Sequence, residues 1–256
     1  MKTAILISGH MRTFARCLPT LAWHVFRHFP NADFYVSTVK DNDSDSVRLL
    51  RDRYPKARIA LDLVDAQPEL PIPLPPVAPD WTVGRMYSHE PYAISVHPQA
   101  IVRQLWQLER VWRLMEQETK ANPPDGPYDT IIRCRPDSWF RSFAMPSHPF
   151  VIHSTVAYTP WWGRFGGCND RFAILGATAA EAYFSTYTAM PALLAAGCPL
   201  HTESLVKASI EAQECIVWDT LRAEFSKLYG PENPKLNGTF RDPEISPIDI
   251  AHLGAC

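Results

Sequence analysis

Two periods of hydrophobicity alternate along the chain. Thr3 to Ile7 is a compact apolar run that stops at Ser8-Gly9, and the apolar positions Leu18, Leu21, Val25 and Phe29 follow at helical spacing. Together they predict a strand, a turn and a helix, with Pro19 in the helix's first turn, where a missing N–H does no harm. Residues 32–39 and 58–64 read as a second and a third strand. The clearest helix runs from Pro98 to Ala121, with Ile101, Leu105, Leu108, Trp112 and Met115 on one stripe, and the turn residues from Asn122 to Pro127 end it. Residues 150–158, 171–175 and 215–218 read as strands, and 178–187 and 202–213 as helices. Strands alternating with helices predict an α/β fold: a Rossmann-like, mostly parallel sheet with helices on both faces. No internal repeat or second linker is visible, so residues 1–256 are expected to form a single domain. Between 66 and 91, seven prolines and a loss of periodicity predict one long loop.

The segment YDTIIRCRPDSWF, Tyr128 to Phe140, combines a strand pattern with charge. In an extended chain Ile131, Arg133, Arg135 and Asp137 share one face while Thr130, Ile132 and Cys134 share the other. Burying that first face is costly unless the charges pair or meet a ligand. Two readings follow. At the carboxyl end of a parallel strand, where open α/β sheets bind ligands, Asp137 can hold a divalent cation and Arg133 or Arg135 can fork onto phosphate. Alternatively, an Arg–Asp ion pair stitches the strand end. Pro136 is expected to turn the chain outward and leave Asp137 at the lip of the sheet. Ser8, Gly9, His10 and Arg12 follow the first strand, where a backbone-lined nucleotide pocket often forms. Neither the dinucleotide glycine fingerprint nor the Walker pattern is present.

A third cluster is TPWWGRFGGCNDRFAIL, Thr159 to Leu175. Its glycines, among them Gly166 and Gly167, allow a backbone to approach a ligand closely. Trp161 and Trp162 can stack on a sugar or base, or one of them can pack into the core. Asp170 opens an apolar strand, either as a turn residue or as an acid at a site edge. His201-Thr-Glu203-Ser reads as a helix start, with Thr202 or Ser204 as cap and Glu203 in the first turn.

The net charge of -2 and the absence of any lysine/arginine block disfavour nucleic acid as a partner. Six cysteines without a C-x-x-C pair suit a reducing, cytoplasmic setting. The apolar run at the N-terminus is too short for a signal sequence, and no run has the length of a membrane span, so no integral membrane segment is expected.

Taken in order, ISGHMRTF, YDTIIRCRPDSWF, GGCNDRFAIL and HTESL resemble a family of poorly characterised bacterial and large-virus proteins related to GT-A glycosyltransferases, over Ile7 to about Leu205. The resemblance implies a GT-A-like fold and a transferase moving a sugar from a nucleotide-diphosphate donor to a hydroxyl on a glycan acceptor, in surface polysaccharide or glycan synthesis. Arg135-Pro136-Asp137 then stands where such enzymes carry an Asp-x-Asp motif, so Asp137 is the expected ligand of Mn²⁺ or Mg²⁺. An arginine replaces the first aspartate, leaving one acidic ligand. Ser8, Gly9, His10, Arg12, Arg133 and Arg135 are the implied donor or diphosphate contacts. Trp161, Trp162, Gly166, Gly167, Asn169 and Arg171 are the sugar or acceptor contacts. Asp170 is the first candidate for a catalytic base and Glu203 the second, with His201 and His252 as further metal or phosphate contacts. Two alternatives stand beside this: a nucleotidyltransferase acting on sugar phosphates, although GHMRTF lacks the lysine of such loops, and a non-catalytic glycan- or protein-binding domain.

Overall fold

The computed structural model describes residues 2–65, 69, 98–145 and 152–227. The proline-rich stretch over 66–91 lies, Glu69 apart, outside the described residues, as does His252. Strands β1 (Thr3–Ser8), β2 (Asp33–Val39) and β3 (Ile59–Val64) are interleaved with helices α1 (Phe14–His24) and α2 (Arg48–Arg53). The long helix α3 (Pro98–Ala121) leads to β4 (Thr130–Cys134), β5 (Ser138–Ala144), β6 (Val156–Pro160) and β7 (Phe172–Leu175). Helices α4 (Ala177–Phe184), α5 (Thr186–Ala195) and α6 (Thr202–Ala212) precede β8 (Ile216–Lys227).

The sheet has the order β3-β2-β1-β4-β7-β6-β8-β5. Four pairings, β1 with β2 and β4, β2 with β3, and β6 with β8, are parallel; three, β4 with β7, β6 with β7 and β5 with β8, are antiparallel. The α/β, Rossmann-like architecture expected from the sequence is therefore present. Side-chain alternation divides the core into two layers. Ala4, Leu6, Ile131 and Leu175 meet the apolar stripe of α3 and the small residues of α4. Ile5, Ile7, Ile132 and Ile174 meet α1 and the aromatic inner face of β5 and β8.

Several elements depart from the sequence expectation. Pro19 lies inside α1, beyond the first turn. Next to it, Thr20 Oγ1 donates to the Cys17 carbonyl at 2.9 Å and accepts the Phe140 N–H at 3.1 Å, which ties α1 to β5. The helix expected over 178–187 is two helices, α4 and α5. Their junction is held by buried Glu109 of α3, which accepts the Thr188 N–H at 3.0 Å and so caps the start of α5. The short strand expected at 215–218 extends to Lys227. Its first half pairs with β6 and its second with β5, a strand the sequence reading lacked.

Candidate active site

Strand β1 lies at the centre of the parallel half, with β2 and β3 on one side and β4 on the other. The chain reverses its direction of travel across the sheet between β1 and β4, and ligands of open α/β sheets bind in the crevice at such a point, outside the carboxyl ends of the strands. The segments 8–12 and 135–137 emerge there. Because β7 runs antiparallel, its beginning at Asn169-Asp170-Arg171 comes to the same edge, as do the loop after β6 and the start of α6. The topology thereby gathers most of the residues singled out in the sequence.

Gly9 has φ +139°, and a Cβ there would sit 3.1 Å from Pro136 Cδ, so the two loops touch where only glycine fits without displacement. Arg133 is 1% exposed. Its Nη1 donates to the carbonyls of Ser8 at 3.3 Å and Cys134 at 2.6 Å, joining the ends of β1 and β4. Burial pulls its pKa below the usual guanidinium value, and Arg135 adds to that, while Tyr183 and Asp170 oppose it. Burial and the use of Nη1 and Nη2 on backbone carbonyls argue against the phosphate contact expected at Arg133, while its Nε is buried without a hydrogen-bond partner among the described residues.

Arg135 and Asp137 form a bidentate pair, Nε to Oδ1 at 2.9 Å and Nη2 to Oδ2 at 3.0 Å. Asp137 is buried rather than at the lip, because the arginine draws it inward. Arg135 also approaches Asp170 at 3.8 Å and donates to Gln104 Oε1 at 3.2 Å, while Gln104 Nε2 donates to Asp170 Oδ2. Burial opposes the charge of Arg135, but Asp137, Asp170 and Glu203 outweigh it and raise its pKa. Arg12, which is exposed, stands 4.0 Å from Asp137 Oδ2. His10 instead meets Asp41 at 3.3 Å.

This geometry does not fit the cation expected at Asp137. Both of its oxygens are held by one guanidinium and a second stands close by, and among the described residues no three His, Cys, Asp or Glu side chains are grouped to hold a metal ion. Gln104, which the sequence reading missed, carries a visible signal: it is a polar residue inside the apolar stripe of α3, three positions after Ile101 and four before Leu108.

The start of α6 closes the far side. His201, not Thr202 or Ser204, is the N-cap, and no side-chain capping bond is made; its Nδ1 instead meets Ser204 Oγ at 3.0 Å. His201 Nε2 lies 2.9 Å from Glu203 Oε2. Burial, then the nearby charge of Asp170, raises the Glu203 pKa, while His201 pulls it down. A Cβ on Gly167 would fall 2.0 Å from the Glu203 carbonyl oxygen, so this glycine permits the loop to lie directly on α6.

Beside this cluster the loop after β6 shapes a pocket of about 690 Å³, lined by Trp161, Trp162, Gly166, Gly167 and Arg171 among the expected contacts, with Arg164, Lys207 and Asp219 in addition. Trp161 is 63% exposed. Trp162 is anchored, its Nε1 donating to the Ala223 carbonyl at 2.7 Å. Buried Asn169 organises the loop rather than facing the pocket: Nδ2 donates to the Trp162 carbonyl and Oδ1 accepts the Arg171 N–H, both at 2.9 Å. Asp219 was missed because β8 was expected to end at Trp218.

No protein-family model and no curated protein sequence matches the chain. Among solved structures it is similar to the apo-form glycosyltransferase GlyE of Streptococcus pneumoniae, at a TM-score of 0.41 and 9% identity. That match covers 85% of this chain but 45% of GlyE, so the chain spans less than half of that protein. It is also similar to the apo form of mouse xyloside xylosyltransferase 1, at a TM-score of 0.35 and 10% identity, covering 84% of this chain and 82% of the other. At these scores neither likeness bears on the chemistry.

Proposed function

We propose that the chain is a glycosyltransferase that binds a nucleoside-diphosphate sugar in the crevice between β1 and β4 and passes the sugar to a hydroxyl acceptor. One observation carries this: Arg12 stands exposed at the topological switch point, 4.0 Å from Asp137 of the Arg135–Asp137 pair. The motif resemblance supplies the ligand class. Transfer breaks the bond between the anomeric carbon and the diphosphate oxygen; the electron pair leaves with the nucleoside diphosphate, and the new bond forms to the acceptor oxygen. Negative charge grows on the leaving group, so fixed cations at its position lower the barrier. Arg12 meets the diphosphate directly. Arg135 stays locked to Asp137 and contributes through its charge, which favours a metal-independent reaction.

The acceptor's proton needs a base if configuration inverts. Glu203 suits this better than Asp170. Its pKa is raised and its carboxylate pairs with His201, whereas Asp170 is engaged by Gln104 and approached by Arg135 and Arg171. Asp170 is then a positioning group for Arg135.

The test is release of nucleoside diphosphate from a panel of nucleotide sugars, with EDTA present throughout. The expected result is turnover with one donor class, insensitive to EDTA and reduced about 10²-fold or more by Arg12→Ala. A folded protein that consumes no nucleotide sugar contradicts the proposal. The exposed Trp161 and its pocket favour a second reading, a glycan-binding domain without catalysis, which retains sugar binding in that outcome.

A further inference from the structure

The loop after β6 holds unusual backbone for the sake of its shape. Gly163 and Gly166 have φ of +64° and +82°, and between them Phe165, which carries a Cβ, has φ +43°. Such a conformation is uncommon for a bulky residue and persists where the surroundings enforce it. Here it leaves Phe165 41% and Trp161 63% exposed at the mouth of the 690 Å³ pocket. Aromatic faces presented this way suit the apolar face of a sugar ring.

The charges within the pocket are not balanced. Asp219 supplies its acid, and both oxygens are taken: Oδ1 accepts from Thr159 Oγ1 at 2.5 Å and Oδ2 from Arg164 Nη1 at 2.8 Å. Arg164 is thereby neutralised, and Arg171 and Lys207 remain. Arg171 is only 4.0 Å from Asp170 Oδ1, an oxygen of a carboxylate bonded more closely by Gln104. Lys207 is 3.7 Å from Glu211 one helical turn on, an exposed pairing of small worth. Two weakly held cations facing one cavity are poorly explained by a neutral ligand.

We propose that this pocket takes an anionic sugar, with a carboxylate or phosphate group on Arg171 and Lys207 and the ring against Trp161. The proposal rests on reading the pocket as the transferase's acceptor site and gives that acceptor its chemical class: an acidic saccharide. Arg171 offers a planar fork suited to either acid, and Lys207 a mobile point charge.

The test uses the full chain with its indole N–H groups observed by NMR, titrated with glucuronate, glucose 6-phosphate and glucose. The expected result is movement of the Trp161 signal, with one acid binding at least about tenfold more tightly than glucose, as one charge-assisted contact supplies. The tighter acid identifies the source, carboxylate or phosphate. Lys207→Gln and Arg171→Gln each weaken acid binding about tenfold, and Lys207→Gln leaves glucose unchanged. Equal affinity for all three sugars, acid binding that survives both substitutions, or displacement of the acid by a nucleoside diphosphate overturns the proposal. Titrating the same sample with a nucleoside diphosphate alone separates the two ideas. Nucleotide binding without acid binding removes only the acidic-acceptor assignment, while acid binding without nucleotide binding keeps the pocket and removes the transferase.

Discussion

At the scale of single residues, Arg135 is the keystone of the charged edge. It neutralises Asp137 through two hydrogen bonds, and Asp170 and Glu203 lie within its field. Removing one member of a buried ion pair leaves the other uncompensated. Arg135→Met is therefore expected to cost about 3–5 kcal/mol at neutral pH, measured by urea denaturation. The loss should shrink in acid, where the stranded carboxylates take up protons. Glu203 gives the opposite pH signature. Its pKa in the fold is raised above the ordinary 4.5, so as pH climbs through that value the unfolded chain gives up its proton first and the fold loses stability. Below 4.5 that contribution is fully present. Glu203→Gln should consequently gain on the wild type as pH rises from acid to neutral, read from the difference in thermal midpoints; a constant difference across that range contradicts it. Much of this scale was legible. Alternation along Tyr128–Phe140 correctly separated the charged face from Ile132 and Cys134. The depth of Asp137 was not legible, because it depends on Gln104 and Asp170, which lie far off in sequence and meet Arg135 only in the fold.

At the scale of elements, the loop from Trp161 to Gly167 is held against α6 by a glycine with no room to grow. Gly167→Ala places a methyl 2.0 Å from the Glu203 carbonyl oxygen and forces the loop off the helix. The expected cost is about 1–3 kcal/mol with loss of sugar binding; a variant as stable as the wild type, with its pocket intact, argues against this packing. The strands of the parallel half and α3 were readable because each carries its own local period. The pairing of β5 with the far half of β8 was not, since it depends on residues some 80 positions apart meeting, Ser138 against Lys227 and Ala144 against Arg222. The signal for β8 was nonetheless present: Leu221, Ala223 and Phe225 are buried while Arg222 and Glu224 are exposed, an alternation overlooked after Trp218. Helix α5 was obscured by its internal Pro191 and by a first turn capped from α3 rather than by its own sequence.

At the scale of the whole molecule, one edge of the sheet collects the ends of β1, β4 and β6 and the beginnings of β7 and α6. The reversed strand β7 makes this possible, since it starts where its antiparallel neighbours β4 and β6 stop. Among the described residues no helix is long and apolar enough to cross a membrane. The central claim is that arginine rather than metal meets a diphosphate at the switch point. The most direct measurement is the thermal midpoint of the wild type and of Arg12→Ala titrated with nucleoside diphosphates, each in EDTA and in Mn²⁺. A ligand that binds only the folded state at 100 times its Kd adds about 2.7 kcal/mol of stability, a readily measured shift. The account predicts a base-selective shift in the wild type, equal in EDTA and Mn²⁺, and at least about tenfold weaker binding in Arg12→Ala. A shift that appears only with Mn²⁺, or one that Arg12→Ala leaves untouched, contradicts it.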